Sequence, residues 1–164
     1  MRNDLTHLYE MPYSQKELVE MMDNIQWFKG FSWAEISNLA GYVNVYQAAQ
    51  NSIIFDEGDC FCYLCVLAQG KVNIMKESAR REKKKIAVVN PGRAFGEMSL
   101  LDGQPRSASA VAAETCLLLI ISKSSYDSLI VTDPALAVRF ITKLANLLSQ
   151  RLRQTSGTLV DFLQ

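Results

Sequence analysis

Between residues 43 and 122 short apolar segments alternate with polar, glycine-bearing turns, while on either side the apolar positions recur at helical spacing. In the lead, residues 1–24 read as irregular or helical with a break at Met11-Pro12. Leu18, Met21, Met22 and Ile25 then fall on one helical face. A short helix is predicted over Trp33 to Tyr42, with Ser32 as N-cap and Glu35, three residues on, as its capping-box partner. Its apolar stripe is Ile36, Leu39, Ala40 and Val43.

The middle of the chain reads differently. Ser52 to Phe55 leads into the turn Asp56-Glu57-Gly58-Asp59, and Tyr63 to Ala68 into Gln69-Gly70. Lys71 to Lys76 follows, then Lys85 to Val89 with Asn90-Pro91-Gly92, then Ser107 to Ala113 and Cys116 to Ser122 around Glu114-Thr115. Strands of this length and spacing predict an all-β sandwich or roll. Beyond residue 122 the period turns helical again, first over Lys123 to Val131. Asp133 then supplies an N-cap and Pro134 the first position of a longer helix. Phe140, Ile141, Leu144, Leu147, Leu148 and Leu152 form its stripe, with Arg139, Lys143, Gln150 and Arg153 between them. Continuation to Leu163 runs against Thr155-Ser156-Gly157-Thr158, four weak helix formers that ask for another reason to be there.

Composition narrows the function classes. The 164 residues suit one domain, and 49% apolar content suffices for a core. Seventeen basic and seventeen acidic side chains cancel, so no global field draws in nucleic acid or an anionic membrane. The longest uncharged apolar run, Cys116 to Ile121, is too short to span a bilayer. The polar start Arg2-Asn3-Asp4 is no signal peptide, and a cytoplasmic protein is the default expectation. The run Arg80 to Lys85 reads as a nucleic-acid patch or a solvated hairpin loop, and zero net charge favours the loop.

Cys60, Cys62 and Cys65 lie close enough in sequence to suggest a thiolate metal site. Strand alternation would put Cys62 and Cys65 on opposite faces, which favours buried thiols instead. His7, the only histidine, lies in the lead, so neither a histidine metal site nor a Ser-His or Cys-His pair can be built in the domain body.

The stretch richest in chemistry is Pro91 to Ser109. A short helical turn from Glu97 to Leu101 would direct its free N–H groups outward near Gly96, where glycine admits a phosphate close to the backbone. Arg106 adds a charged planar fork matched to phosphate oxygens, and Glu97 an acceptor for a sugar hydroxyl. These groups describe a ribose joined to a phosphate. A plain turn with a surface ion pair is the bland alternative.

Phe95-Gly96-Glu97-Met98-Ser99-Leu100-Leu101 with Pro105-Arg106-Ser107-Ala108-Ser109 closely resembles the phosphate-binding cassette of the cyclic-nucleotide-binding family, to which bacterial catabolite activators and kinase regulatory subunits belong. Asp56-Glu57-Gly58-Asp59, Leu67 to Val72 and Asn90-Pro91-Gly92 resemble its roll turns, and the likeness covers about residues 27–156. It implies a mainly β fold with flanking helices: a double-stranded β-helix (jelly-roll) with N-terminal helices and a long C-terminal helix. Residues 1–26 would form the helical lead, 27–132 the nucleotide-binding roll, and 133–164 a lid and dimerisation helix. Gly96 and the backbone beside it through Met98 and Ser99, with Arg106 and Ser107, would hold the cyclic phosphate, and Glu97 the ribose 2′-hydroxyl.

Gln150 to Ser156 resembles the family helix whose Thr-Ser pair meets the base: Thr155 from its own subunit, Ser156 from the partner, with Arg151 nearby. The chain ends at Gln164 without the helix-turn-helix of the bacterial regulators, so no direct DNA binding is expected, and the zero net charge and short apolar runs likewise lead to no expected membrane association. The expected function is a non-enzymatic, homodimeric sensor with no cofactor. It binds cAMP, with cGMP less favoured, and signals to an unknown downstream protein. The alternatives are a ligand-free interaction module of the same fold, a piece of a larger regulator, and a cupin-type enzyme, which the missing histidines disfavour.

Overall fold

The computed structural model describes residues 5–79 and 81–162, so the readings on residues 1–4, Arg80 and Leu163 lie outside the described residues. By contact density the chain divides into two compact units, Met1–Ser125 and Tyr126–Gln164.

The first unit opens with a two-residue strand β1 (Tyr9–Glu10), too short to leave a periodic signal in the sequence. Helix α1 (Gln15–Asn24) starts at Ser14, whose hydroxyl accepts from the Glu17 amide at 3.3 Å while Glu17 accepts from the Ser14 amide at 2.9 Å. Its buried face is Leu18, Val19 and Met22. A 3-10 turn at Gln26–Phe28 buries Trp27 and Phe28, whose rings meet edge to face at 4.9 Å. Helix α2 (Trp33–Ala40) has the expected Ser32–Glu35 capping box, and Ile36, Leu39, Ala40 and Val43 are all buried. It stops at Gly41, short of the predicted Tyr42.

The remaining strands are β2 (Asn44–Ala48), β3 (Ile53–Phe55), β4 (Tyr63–Gln69), β5 (Val72–Glu77), β6 (Lys83–Val89), β7 (Ala94–Phe95), β8 (Ser109–Ala112) and β9 (Cys116–Ser122). They form an antiparallel sheet of order β1-β2-β9-β4-β7 and another of order β3-β8-β5-β6. Alternate residues of both sheets, among them Tyr63, Cys65, Leu67, Leu118, Ile54, Phe55, Val72 and Ala110, meet in one core. Leu64, Val66, Leu117, Leu119 and Ile121 on the other face of β4 and β9 are buried as well. Hence these two strands read as unbroken apolar runs rather than alternations.

Two readings need correction. Lys83, Lys84 and Lys85 are not loop residues but the start of β6, and the hairpin turn is confined to Ser78–Glu82, with Arg81 in the left-handed region at φ 60°. The strand tolerates the charges because its side chains stay exposed until Val89. Buried thiols describe Cys65 and Cys116, whereas Cys60 is exposed and Cys62 half-buried. Burial pushes the Cys65 thiol up to about 12, so it stays protonated and inert. No metal-binding cluster of His, Cys, Asp or Glu occurs among the described residues.

In the second unit Asp133 caps helix α5 (Pro134–Phe162) as predicted, its carboxylate accepting from the Leu136 amide at 3.1 Å. Helix α4 (Lys123–Thr132) precedes it, and Tyr126 and Phe140 stack at 5.7 Å. Of the stripe, Phe140 and Leu144 are fully buried, Leu147 and Leu148 half-buried, and Leu152 is 68% exposed. The helix runs unbroken through Thr155–Thr158, all exposed, with the Thr158 hydroxyl returned to the Gln154 carbonyl at 3.0 Å. No described helix is long and apolar enough to cross a membrane.

The β4–β5 turn rests on Gly70, whose φ of +91° belongs to the left-handed half of the map. A Cβ there would stand 2.5 Å from the Thr115 carbonyl oxygen and 2.9 Å from Cys116 Sγ. Gly70→Ala is therefore expected to cost about 2–4 kcal/mol. Urea denaturation measures it, and an unchanged midpoint would contradict the turn geometry.

Candidate functional site

Strand β7 pairs with β4 through Phe95–Cys65 and Ala94–Val66, and the chain then turns sharply at Gly96 (φ 77°, ψ 15°) into helix α3 (Glu97–Asp102). Glycine is required at 96 for two reasons. Its φ is left-handed, and a Cβ would come within 2.8 Å of Arg106 Nη1 and 3.2 Å of the Tyr63 carbonyl. Leu100 anchors α3 in the core and the helix ends at a second left-handed glycine, Gly103. No side chain caps its N-terminus.

Arg106 closes the loop and is only 4% exposed. Its backbone is stitched to the Asp56–Asp59 turn, Gly58 donating to its carbonyl and its amide donating to the Asp59 carbonyl, both at 2.8 Å. Nη1 donates to the Gly96 carbonyl at 2.8 Å and Nη2 to the Tyr63 carbonyl at 2.9 Å. The guanidinium carbon lies 4.1 Å from the centre of the Phe55 ring and 4.2 Å from that of Tyr63. Among the described residues no carboxylate forms an ion pair with it. The structure thus brings Gly96 and Arg106 into contact across ten residues of sequence.

Glu97 leads the first turn of α3 and is 2% exposed. Ser99 is also buried, its hydroxyl turned back on the Gly96 carbonyl at a long 3.5 Å. Met98 and Ser107 are exposed and adjoin each other, the Ser107 hydroxyl 3.8 Å from Met98 Sδ. Arg151, Thr155 and Ser156 lie on α5 in the second unit, the first half-buried and the other two exposed.

A polar network around the cassette escaped the sequence reading, which took Asp56-Glu57-Gly58-Asp59 for a plain turn. The Asp56 carboxylate accepts from the Ser109 hydroxyl and from Lys83 at 2.9 Å, and its own amide donates to Asp59. Glu57 pairs with Lys76, which also donates to the Ser107 carbonyl. The β5–β6 hairpin is thereby fastened to the exit of the cassette. Only the local charge pattern hinted at this, because each pair spans nineteen residues or more. The hydrogen bond from Ser109, then that from Lys83, holds the Asp56 carboxyl below its usual range.

Two surface depressions of about 260 and 520 Å³ lie elsewhere. The smaller is lined by Leu5, Tyr46, Phe61 and Ile120 among others, the larger by residues of 9–18 and 43–45. The cassette lines neither.

A lowered carboxyl contributes stability that is present above the unfolded value of about 4 and lost as pH falls through the folded value below it. Asp56→Asn is therefore expected to destabilise the protein at pH 7, and the gap to wild type should shrink as the pH falls below about 4. Urea midpoints across that range measure it, and a constant gap would contradict the assignment.

A sequence profile described as the cyclic nucleotide-binding domain matches residues 46–133. The cyclic AMP receptor protein of Thermus thermophilus is 37% identical over 127 residues, which cover 77% of this chain and 57% of that protein. A solved cyclic nucleotide-binding domain from Methylobacillus flagellatus superposes with a TM-score of 0.79 at 32% identity, over 90% of this chain and 85% of that one. The Thermus thermophilus catabolite activator protein follows with 0.71 and 36%, over 82% and 61%. The kinase regulatory subunit of Trypanosoma brucei, at 14% identity and a TM-score of 0.68, shares the fold. The chain spans only 57% and 59% of the first curated relatives it matches. With its profile matched over residues 46–133 and a solved domain matched over most of both chains, the chain belongs to the cyclic nucleotide-binding domain family.

Proposed function

We propose that this chain is a non-enzymatic cyclic-nucleotide sensor that prefers cAMP to cGMP. The observation that carries the reading is the buried Arg106 guanidinium held against Gly96 at the start of α3, with no ion-paired carboxylate among the described residues. A cation so placed favours an anion of matching geometry, and a cyclic phosphate offers its two exocyclic oxygens to the fork. Gly96, the neighbouring backbone of Met98 and Ser99, and Ser107 complete the phosphate subsite, while Glu97 takes the ribose 2′-hydroxyl. Glu97 is the one carboxylate of α3's first turn, and on this reading the sugar occupies it, leaving no general base for hydrolysis.

The division of labour follows the sequence: a sensing roll over 27–132, a C-terminal helix over 133–164 that acts as lid and dimerisation element, and a lead over 1–26. Arg151, Thr155 and Ser156 are the candidates for the base on the strength of the family resemblance, and their half-buried or exposed positions suit contact with a ligand or a second copy. Leu152 and Leu159, 68% and 58% exposed, support a homodimer through α5. The signal then passes to a downstream protein as α5 rearranges, driven by the ligand's differential affinity for the two states.

Calorimetric titration with cAMP and cGMP tests the reading. Arg106→Ala is expected to lose at least about 2 kcal/mol of cyclic-nucleotide affinity, the phosphate charge being left unmatched. Glu97→Ala should weaken binding and narrow the preference over 2′-deoxy analogues. A folded Arg106→Ala variant with wild-type affinity would sink the site.

Pure protein should return the nucleotide chemically unchanged, and turnover abolished by Glu97→Ala would overturn the non-enzymatic assignment. Sedimentation at tens of micromolar should show a dimer that cAMP tightens. A strict monomer with and without ligand would remove Ser156 from the site.

A further inference from the structure

Arg106 poses a problem that the phosphate reading alone does not solve. A guanidinium 4% exposed and without an ion-paired carboxylate among the described residues is costly to keep in the core before any ligand arrives. Something must hold it charged and in place. Two of its five N–H groups are used, one each on the Gly96 and Tyr63 carbonyls, and Nε has no hydrogen-bond partner.

The remaining support is aromatic. The Phe55 and Tyr63 rings stand at 78° with centroids 6.0 Å apart, and the guanidinium carbon sits in their corner at 4.1 and 4.2 Å. Both distances are well inside the range in which a ring face attracts a cation. The corner is itself fixed. Tyr63 donates its hydroxyl to the Ile54 carbonyl at 2.8 Å, which ties the ring at the start of β4 to β3, and Phe55 is backed by Phe95 at 5.9 Å. The same Phe55 ring borders the space at Gly96, 3.3 Å from where a Cβ would be, so ring, glycine and guanidinium are packed as one unit.

We infer that Phe55 and Tyr63 are positioning residues for the anion subsite: their rings form a two-walled aromatic corner that stands in for a counter-ion and holds Arg106 with Nε and its unused N–H groups left for phosphate. The inference rests on the phosphate role proposed above for Arg106 and extends it to two residues that touch no ligand. It also accounts for a packed site: the receptor for the anion is assembled before the anion binds.

Four substitutions separate a positioning role from simple core packing. Phe55→Leu and Tyr63→Leu keep apolar volume but remove a ring face; each should weaken cAMP binding about tenfold while the protein still melts cooperatively. Tyr63→Phe keeps the ring and loses only the hydroxyl, so it should bind within about twofold of wild type. In an Arg106→Lys background the corner no longer holds a planar cation, and adding Phe55→Leu should then cost less than about threefold. Wild-type affinity in a folded Phe55→Leu protein would overturn the inference, as would a full tenfold loss that persists in the lysine background.

A readout free of nucleotide keeps the two readings apart. Ring currents should shift the Arg106 Hδ resonances upfield in the unliganded protein, and Phe55→Leu should reduce the shift while the Tyr63 ring keeps part of it. Inorganic phosphate at tens of millimolar should raise the melting temperature of wild type more than that of Phe55→Leu. If wild type ignores cyclic nucleotide but shows the shifted resonances and the phosphate effect, the corner stands and the nucleotide reading falls. If the resonances are unshifted, the corner falls whatever the protein binds.

Discussion

A buried guanidinium that makes no ion pair with a carboxylate among the described residues is the constraint around which this domain is organised. Removing a guanidinium from water costs several kcal/mol even after relaxation. Two charge-assisted hydrogen bonds, to Gly96 and Tyr63, return about 1.5–3 kcal/mol each. Ring contacts add about 0.5–2 kcal/mol apiece. The sums are comparable, so Arg106 is tolerated rather than comfortable. A site in that condition gains from an anion more than a neutral pocket would.

Everything that holds Arg106 comes from a different place in the chain. Phe55 ends β3, Tyr63 begins β4, Gly96 follows β7, and the Asp56–Asp59 turn clasps the arginine backbone. The two antiparallel sheets bring these pieces together through pairings such as β3 with β8 and β4 with β7. Lys76 and Lys83 extend the same logic outward, tying the β5–β6 hairpin to Glu57 and Asp56. The roll is less a container than a frame that fixes one side chain from several directions.

This also explains what the sequence disclosed and what it hid. The capping box at Ser32 and Glu35, the Asp133-Pro134 start of α5 and the apolar runs of β4 and β9 are local or periodic, so they were legible. The cassette was legible as a resemblance spanning Phe95 to Ser109. The contacts of Phe55 and Tyr63 with Arg106 were not, since an aromatic residue in a strand reads as core and nothing in its spacing reveals a charged neighbour. Lys83 to Lys85 misled because charge density suggests a loop, and an exposed edge strand carries charge equally well. At Thr155 to Thr158 weak propensity ran against the expected helix, and α5 continues through them over its 29 residues.

That edge strand has a consequence of a different kind. β6 ends the order β3-β8-β5-β6, so one row of its backbone amides and carbonyls has no neighbour within the sheet. Ile86 and Val88 are 61% and 45% exposed on it, an invitation to strand addition by any chain that happens to collide. Three consecutive lysines at its start oppose that event. A second β6 laid parallel and in register against the first would bring six lysine side chains together, and the repulsion falls on this exposed edge. The register shift between Ile74 and Met75 disturbs the flat template further. The lysine run that could be taken for a nucleic-acid patch in the sequence thus stands where it disfavours parallel, in-register zipping of two copies edge to edge.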